Sequence, residues 1–227
     1  MKINVIATGS SGNLYELVDS DGNSMLIEAG ISRPEFMKHK IGTKAPEMCI
    51  ISHKHMDHHQ YFGEFKAMIP TYVSEQHNES ANFKALGFNL KHGEGTSTAY
   101  IIKSLVENKF VFFGTDIEFS PDYTELYDYL KDLQVENFLI ECNYNDYLFH
   151  LATPEQRQGC SRHFSDNDVV TFFKIVRPKN PKIITIHGSN RLSADVYTKK
   201  YLSSKLLNAT VQIAVGQKNG VKNLFII

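Results

Sequence analysis

Ser52-His53-Lys54-His55-Met56-Asp57-His58 places three histidines and an aspartate within six residues, at the end of the short apolar run 48–52 (MCIIS). The run reads as a buried strand, so the histidines sit where a strand empties into a loop. Alternation puts His53 and His55 on the same side of an extended segment. Asp57 and His58 then turn toward a second point in space. Imidazole and carboxylate are the donors expected for zinc, and also for manganese or iron. Ionisable groups at this density are costly to bury unless a metal or partner compensates them. A solvated His-rich loop is the alternative.

Outward from this segment the chain alternates strands and helices. Residues 2–7 (KINVIA) read as a strand broken by Gly9-Ser10-Ser11-Gly12. Residues 14–18 and 24–28 read as a hairpin. Residues 75–86 are expected to form a helix ended by Gly87, and 98–104 with 109–113 a hairpin. A helix over 123–132 presents Leu126, Tyr129, Leu130 and Leu133 on one face. Residues 137–141 are strand-like. Ser165, with Asp168 three positions on, carries a helix-start signature, and Pro178 and Pro181 end that helix. Residues 182–186 (KIITI) are a buried strand and 194–207 a helix. Residues 210–215 and 221–226 are expected to close the chain as a hairpin around Gly216-Gln217-Lys218-Asn219-Gly220. The pattern suggests two sheets with helices outside.

Composition narrows the function classes. The 227 residues are 42% hydrophobic and 22% charged, which disfavours a disordered chain. The net charge of −1 counts weakly against bulk attraction to duplex DNA. It averages two opposed blocks. Residues 111–168 carry 12 acidic and 3 basic groups, whereas 169–227 carry 1 acidic and 10 basic. Cys49, Cys142 and Cys160 lack C-x-x-C spacing, so reduced thiols are expected. The N-terminus lacks the apolar core of a signal peptide, and no run has the length of a membrane helix. The expectation is a cytoplasmic protein.

The H-x-H-x-D-H run resembles that of the metallo-β-lactamase superfamily, and the rest of that family's order follows along the chain. His92 sits in LKHGEGTSTAYII, Asp116 in VFFGTDIE and His187 in KIITIHGSN. Residues 8–13 (TGSSGN) and 26–30 (LIEAG) resemble the family's opening turn and second strand end, with Glu28 where aspartate is commoner. The resemblance covers nearly the whole chain. It implies a single domain over 1–227, an α/β four-layer αββα sandwich of two mixed sheets flanked by helices. It also implies two divalent metal ions, zinc before manganese. His53, His55 and His92 would hold one, and Asp57, His58 and His187 the other. Asp116 would bridge them.

Residues beyond the ligands point to a branch. Lys91-His92-Gly93-Glu94, followed by Ala99-Tyr100, resembles the phosphodiesterase branch that includes the tRNA 3′-processing endonucleases. It does not resemble the G-H-T-P-G of lactamases and thioesterases. Glu141-Cys142-Asn143-Tyr144 and Arg162-His163-Phe164-Ser165 resemble segments of these enzymes, though Tyr144 replaces a histidine and Arg162 a glycine. By resemblance His163 protonates the leaving group and Glu141 positions it, while Asp57 orients the attacking hydroxide. Ser189-Asn190-Arg191 resembles the loop after the last ligand. Asn143, Ser189 and Arg191 are candidate substrate contacts, with Arg191 either a bidentate phosphate grip or a surface charge.

The implied function is binuclear hydrolysis of a nucleotide phosphodiester by metal-activated hydroxide. The favoured substrate is a 3′,5′-cyclic mononucleotide, as in the compact phage anti-Pycsar proteins, which degrade such signals as homodimers. A phage origin would place the protein in the host cytoplasm. A DNA or RNA nuclease is the alternative, kept open by the basic block. A non-catalytic module sequestering an anionic ligand is the second. The aromatic stretch 144–149 reads as a dimer contact, a substrate lid or local core.

Overall fold

In a computed structural model, residues 1–189, 191–214 and 223–227 are described. Asn190 and residues 215–222, which include the expected closing turn Gly216–Gly220, lie outside the described residues. The chain divides into two compact units. One comprises Met1–Gly87, Ile102–Lys109 and Ala214–Ile227, the other Phe88–Ile101 and Phe110–Ile213.

The first unit begins with β1 (Lys2–Ala7), β2 (Leu14–Val18) and β3 (Ser24–Ile27), followed by α1 (Arg33–His39), β4 (Cys49–Ile51), α2 (Met56–His59), α3 (Phe62–Lys66), β5 (Thr71–Val73) and β6 (His77–Glu79). Strands β7 (Phe83–His92), β8 (Gly95–Ser104) and β9 (Lys109–Gly114) are each divided between the two units, and β13 (Asn223–Ile226) belongs to the first. A six-stranded mixed sheet runs β13-β1-β2-β3-β4-β5. Strands β1 to β3 pair antiparallel, and β3, β4 and β5 pair parallel. Ile6, Leu14, Leu26, Phe36, Ile51 and Phe65 form the core behind it.

The second unit holds α4 (Thr124–Asp132), β10 (Asn137–Glu141), α5 (Asp146–Leu151), α6 (Pro154–Cys160), α7 (Asp166–Val176), β11 (Lys182–Ile186), α8 (Asp195–Lys205) and β12 (Thr210–Ile213). A seven-stranded mixed sheet runs β12-β11-β10-β9-β8-β7-β6. Strands β9 to β12 are mutually parallel. Parallel neighbours need crossovers, and helices supply them. Burial of Val111, Phe112 and Phe113 in succession shows both faces of β9 covered. Phe172 of α7 packs against Phe112, Tyr127 and Phe138.

The Ser165 helix start forms a complete capping box: its hydroxyl accepts from Asp168 N, and Asp168 Oδ2 accepts from Ser165 N. Such caps contribute about 0.5–2 kcal/mol.

Two expectations are corrected. The helix over 75–86 is instead β6, a turn and the start of β7. Ser80 N donates to Phe83 O, and His77 faces Leu86 across an antiparallel ladder. Inward Phe83 and Ala85 alternate with exposed Lys84, a period of two that the sequence shares with a short helix face. Among the described residues the two strands of the expected closing hairpin do not pair with each other. β12 joins β11 in parallel, while β13 joins β1 antiparallel in the other sheet. Periodicity identified both strands but not their partners. No helix among the described residues is long and apolar enough to cross a membrane.

Candidate functional site

The sequence-selected residues fall into two clusters, one in each unit. In the first unit, the chain leaves β4 at Ser52 and runs extended to His55 before turning into α2. The rings of His53 and His55 lie 4.4 Å apart between centroids, and His53 and His58 lie 4.5 Å apart. Ser52 Oγ pairs with His53 Nδ1 at 2.9 Å, and the Ser74 hydroxyl holds Ser52 O at 2.8 Å. Glu28, fully buried at the end of β3, accepts from Ser52 N at 3.3 Å and faces His58 Nδ1 at 3.4 Å. It occupies the left-handed region at φ 70°, uncommon for a residue with a Cβ.

Asn13 is the part of this cluster to which the sequence reading gave no role. Its backbone N–H donates to Asp57 O at 2.7 Å. Its side-chain amide lies 3.3 Å from Asp57 Oδ2 and 3.2 Å from His58 Nε2. The approach requires Gly30: a Cβ there would come within 1.8 Å of Asp57 O. The available signal was the TGSSGN turn, which places an amide side chain after two glycines.

In the second unit, parallel register assembles the cluster. Gly114 at the end of β9 pairs with Ile140, and Glu141 at the end of β10 pairs with Ile186. Asp116, Glu141 and His187 therefore emerge at one edge, at the carboxyl ends of the strands where parallel sheets bind ligands. Asp116 and His187 both adopt left-handed backbone, at φ 51° and 53°. Strain of this kind persists where surroundings over-determine it, and it concentrates at functional sites. His163 arrives from the α6–α7 connection. Asn143 N bonds Phe164 O and Asp166 N bonds Tyr144 O, which ties that connection to the end of β10.

Asp116, Glu141, His163 and His187 each offer a ligand atom within 4.8 Å of the others. Asp116 presents its two oxygens in different directions. Oδ1 faces His187 Nδ1 at 3.1 Å, and Oδ2 faces His92 Nε2 at 3.6 Å. His92 Nδ1 donates to Arg162 O at 3.1 Å, leaving Nε2 as the donor atom for a ligand. Metal-binding histidines ordinarily anchor their second nitrogen this way. Glu141 is fully buried and receives His163 Nδ1 at 2.6 Å, His187 Nδ1 at 3.2 Å and Ile117 N at 3.3 Å. Burial works to raise its pKa, but the charge of His163 and these bonds hold it below the usual range. For His163 burial works downward, and Glu141 and Asp116 outweigh it and raise the value. Burial pushes His92 down.

The donor sets suit divalent cations. Neutral imidazole and carboxylate predominate, one carboxylate addresses two directions, and second nitrogens are anchored by carbonyl, hydroxyl or carboxylate. Asn143 and Ser189 hold the loop after β11. Asn143 Nδ2 donates to His187 O at 2.9 Å, and Ser189 Oγ accepts from Arg191 N and Leu192 N. Arg191 is exposed. Glu118 was not anticipated. It accepts from Gly93 N at 2.7 Å, donates its own N–H to Lys91 O at 2.8 Å and pairs with Lys91 Nζ, bracing the His92 turn against the Asp116 loop. Cys49, Cys142 and Cys160 are buried free thiols.

The chain has the metallo-β-lactamase fold. The metallo-β-lactamase fold protein YhfI from Bacillus subtilis superposes over 99% of both chains with a TM-score of 0.75 at 14% identity. Human tRNase Z, short form, matches over 100% of this chain and 99% of its own, with a TM-score of 0.65 at 13% identity. A diphosphatase from the PhnP family covers 100% of this chain and 97% of its own, at a TM-score of 0.65 and 15% identity. No family model and no curated protein sequence matches the chain.

Proposed function

We propose that this protein is a binuclear metal-dependent phosphodiesterase acting on nucleotide phosphodiesters, with 3′,5′-cyclic mononucleotides as the first substrate class. The observation that carries this reading is the His163–Glu141 pair at 2.6 Å, set among Asp116 and His187 at the carboxyl ends of parallel strands. With its Nδ1 held by a carboxylate and its other ring nitrogen free to face a substrate, His163 has the arrangement a general acid requires beside the proposed ligands. That tRNase Z and a PhnP-family diphosphatase share the fold supports phosphoryl chemistry.

The proposed ligands are His53, His55 and His92 for one ion, and Asp57, His58 and His187 for the other. Asp116 serves both, and 1–227 act as one catalytic domain. When bound, the ions supply an activated water and neutralise charge on the phosphoryl oxygens. The chain's own residues do the rest. Asn13 fixes Asp57, which orients the nucleophile. Glu141 holds the Nδ1 proton of His163, so Nε2 is the atom that delivers a proton to the leaving oxygen. A side-chain exposure of 11% leaves His163 an open edge for this, while Glu141 is sealed from water. General acid catalysis of this kind contributes about 10²–10⁴-fold. The family resemblance brings a homodimer into the proposal; of the aromatic stretch 144–149, Tyr144, Leu148 and Phe149 pack into a local core with Ala152, Cys160 and Leu192, and Tyr147 is exposed.

A second reading, a nuclease, is favoured by the basic block of residues 169–227. One panel tests both. Zinc- or manganese-loaded protein is incubated with 3′,5′-cyclic purine and pyrimidine nucleotides, cyclic dinucleotides, single-stranded DNA and a precursor tRNA. Turnover of cyclic mononucleotides with polynucleotides untouched is expected. Salt-sensitive cleavage of polynucleotide alone would replace this reading by the nuclease. Binding without turnover of any substrate would overturn both.

A further inference from the structure

We propose that Arg162 grips the substrate's phosphate group, a role resting on the phosphodiesterase reading above. The backbone of Arg162 is anchored at the cluster of the second unit. Its carbonyl accepts from His92 Nδ1 at 3.1 Å, and His163 follows it in the chain. The His92 and His163 rings lie 5.2 Å apart. The side chain is then laid across the turn after His92. A Cβ on Gly93, itself at φ 59°, would meet Arg162 Cδ at 2.9 Å and Nη1 at 3.6 Å. Glycine at this position thus does two things: it takes the left-handed turn, and it leaves a bare surface on which the arginine stem lies flat.

The guanidinium is exposed, and among the described residues it has no ion pair or hydrogen bond. The other cations of the acidic stretch 111–168 are occupied. Lys131 pairs with Asp128, and Arg157 donates to His150 O. Arg162 is therefore the cation of that stretch still open to a ligand, beside the residues assigned to metal binding and proton delivery. A planar fork of donors held at such a rim matches the oxygens of a phosphate. Arg191 is exposed as well, but among the described residues no contact of its side chain fixes it toward the cluster.

The test uses the full-length, metal-loaded protein. Arg162→Ala and Arg162→Lys are compared with wild type for hydrolysis of bis(p-nitrophenyl) phosphate, for binding of inorganic phosphate by calorimetry, and for metal content. Loss of a charge-assisted contact should raise KM and weaken phosphate binding by about 10–100-fold in Arg162→Ala. Metal content should stay at the wild-type value, and Arg162→Lys should recover part of the loss. Wild-type KM and phosphate affinity in Arg162→Ala would overturn the role. A wild type that binds phosphate, loses that binding in Arg162→Ala and hydrolyses no diester would uphold the grip and sink the phosphodiesterase reading. Altered metal content in Arg162→Lys would make the residue a support for His92 instead, and the proposal would fall.

Discussion

Asn13 and Asp57 are joined by three hydrogen bonds. The Asn13 backbone N–H donates to Asp57 O at 2.7 Å, and the side-chain amide reaches Asp57 O at 3.2 Å and Asp57 Oδ2 at 3.3 Å. The same amide lies 3.2 Å from His58 Nε2. Forty-four residues of chain separate the pair, so the turn after β1 sets the geometry of a proposed metal ligand. Asn13→Ala removes the side-chain bonds and leaves the backbone bond. It should cost about 1–3 kcal/mol, the penalty for stranding buried polar partners. It should also weaken the second metal ion selectively, seen as a lower metal-to-protein ratio by elemental analysis. Two tightly held ions in Asn13→Ala would show that Asp57 needs no such support.

The histidine run was legible from its own residues, because it gathers ligand-type side chains where an apolar run ends. Asp116, Glu141, His163 and His187 are ordinary residues taken one at a time, and the resemblance to the family's order of motifs singled them out. Asn13, Glu118 and the orienting role of Arg162 O were not legible, because each acts on a residue 25 or more positions away: Gly93 and Glu118 meet only through the fold, as do His92 and Arg162. The two misread segments share this cause. Residues 75–86 fit a helix face as well as a hairpin until β6 pairs with β7. Strands β12 and β13 looked like neighbours because they are close in sequence, whereas pairing sends them to different sheets.

Asp116 faces imidazole nitrogens through both oxygens, which makes its charge the feature to test. Its backbone is left-handed at φ 51°, and asparagine tolerates that conformation well. Asp116→Asn therefore retains fold and volume while removing the charge that both ions would share. Metal content should fall to one ion or none, and turnover should be abolished. Full turnover in Asp116→Asn or Asp116→Ala would refute the bridging role.

His163 and Glu141 should separate in their effects. His163→Ala keeps every proposed ligand, so metal content should hold while turnover falls by about 10²–10⁴. Glu141→Gln also alters a buried neighbour of His187, at 3.2 Å. It should slow turnover and lower the folding midpoint, because a buried carboxylate receiving three donors is replaced by an amide that can satisfy fewer of them. Steady-state kinetics with thermal melts on both variants decides this. Unchanged turnover in His163→Ala would remove its acid role.

Metal removal should show in stability before activity is measured. Asp116 and Glu141 are two carboxylates buried in one cluster, an arrangement that cations favour. Ligand that binds only the folded state at 100 times its dissociation constant stabilises by about 2.7 kcal/mol. For a chain of 227 residues this corresponds to a midpoint roughly 5–10 °C higher. Chelation should therefore lower the melting midpoint by this order, and zinc or manganese should restore it. Asp116→Asn, lacking the shared carboxylate, should show a much smaller response to either treatment. A wild-type midpoint indifferent to chelator, in protein that also carries no metal on purification, would mean that these histidines and carboxylates do not form a metal centre.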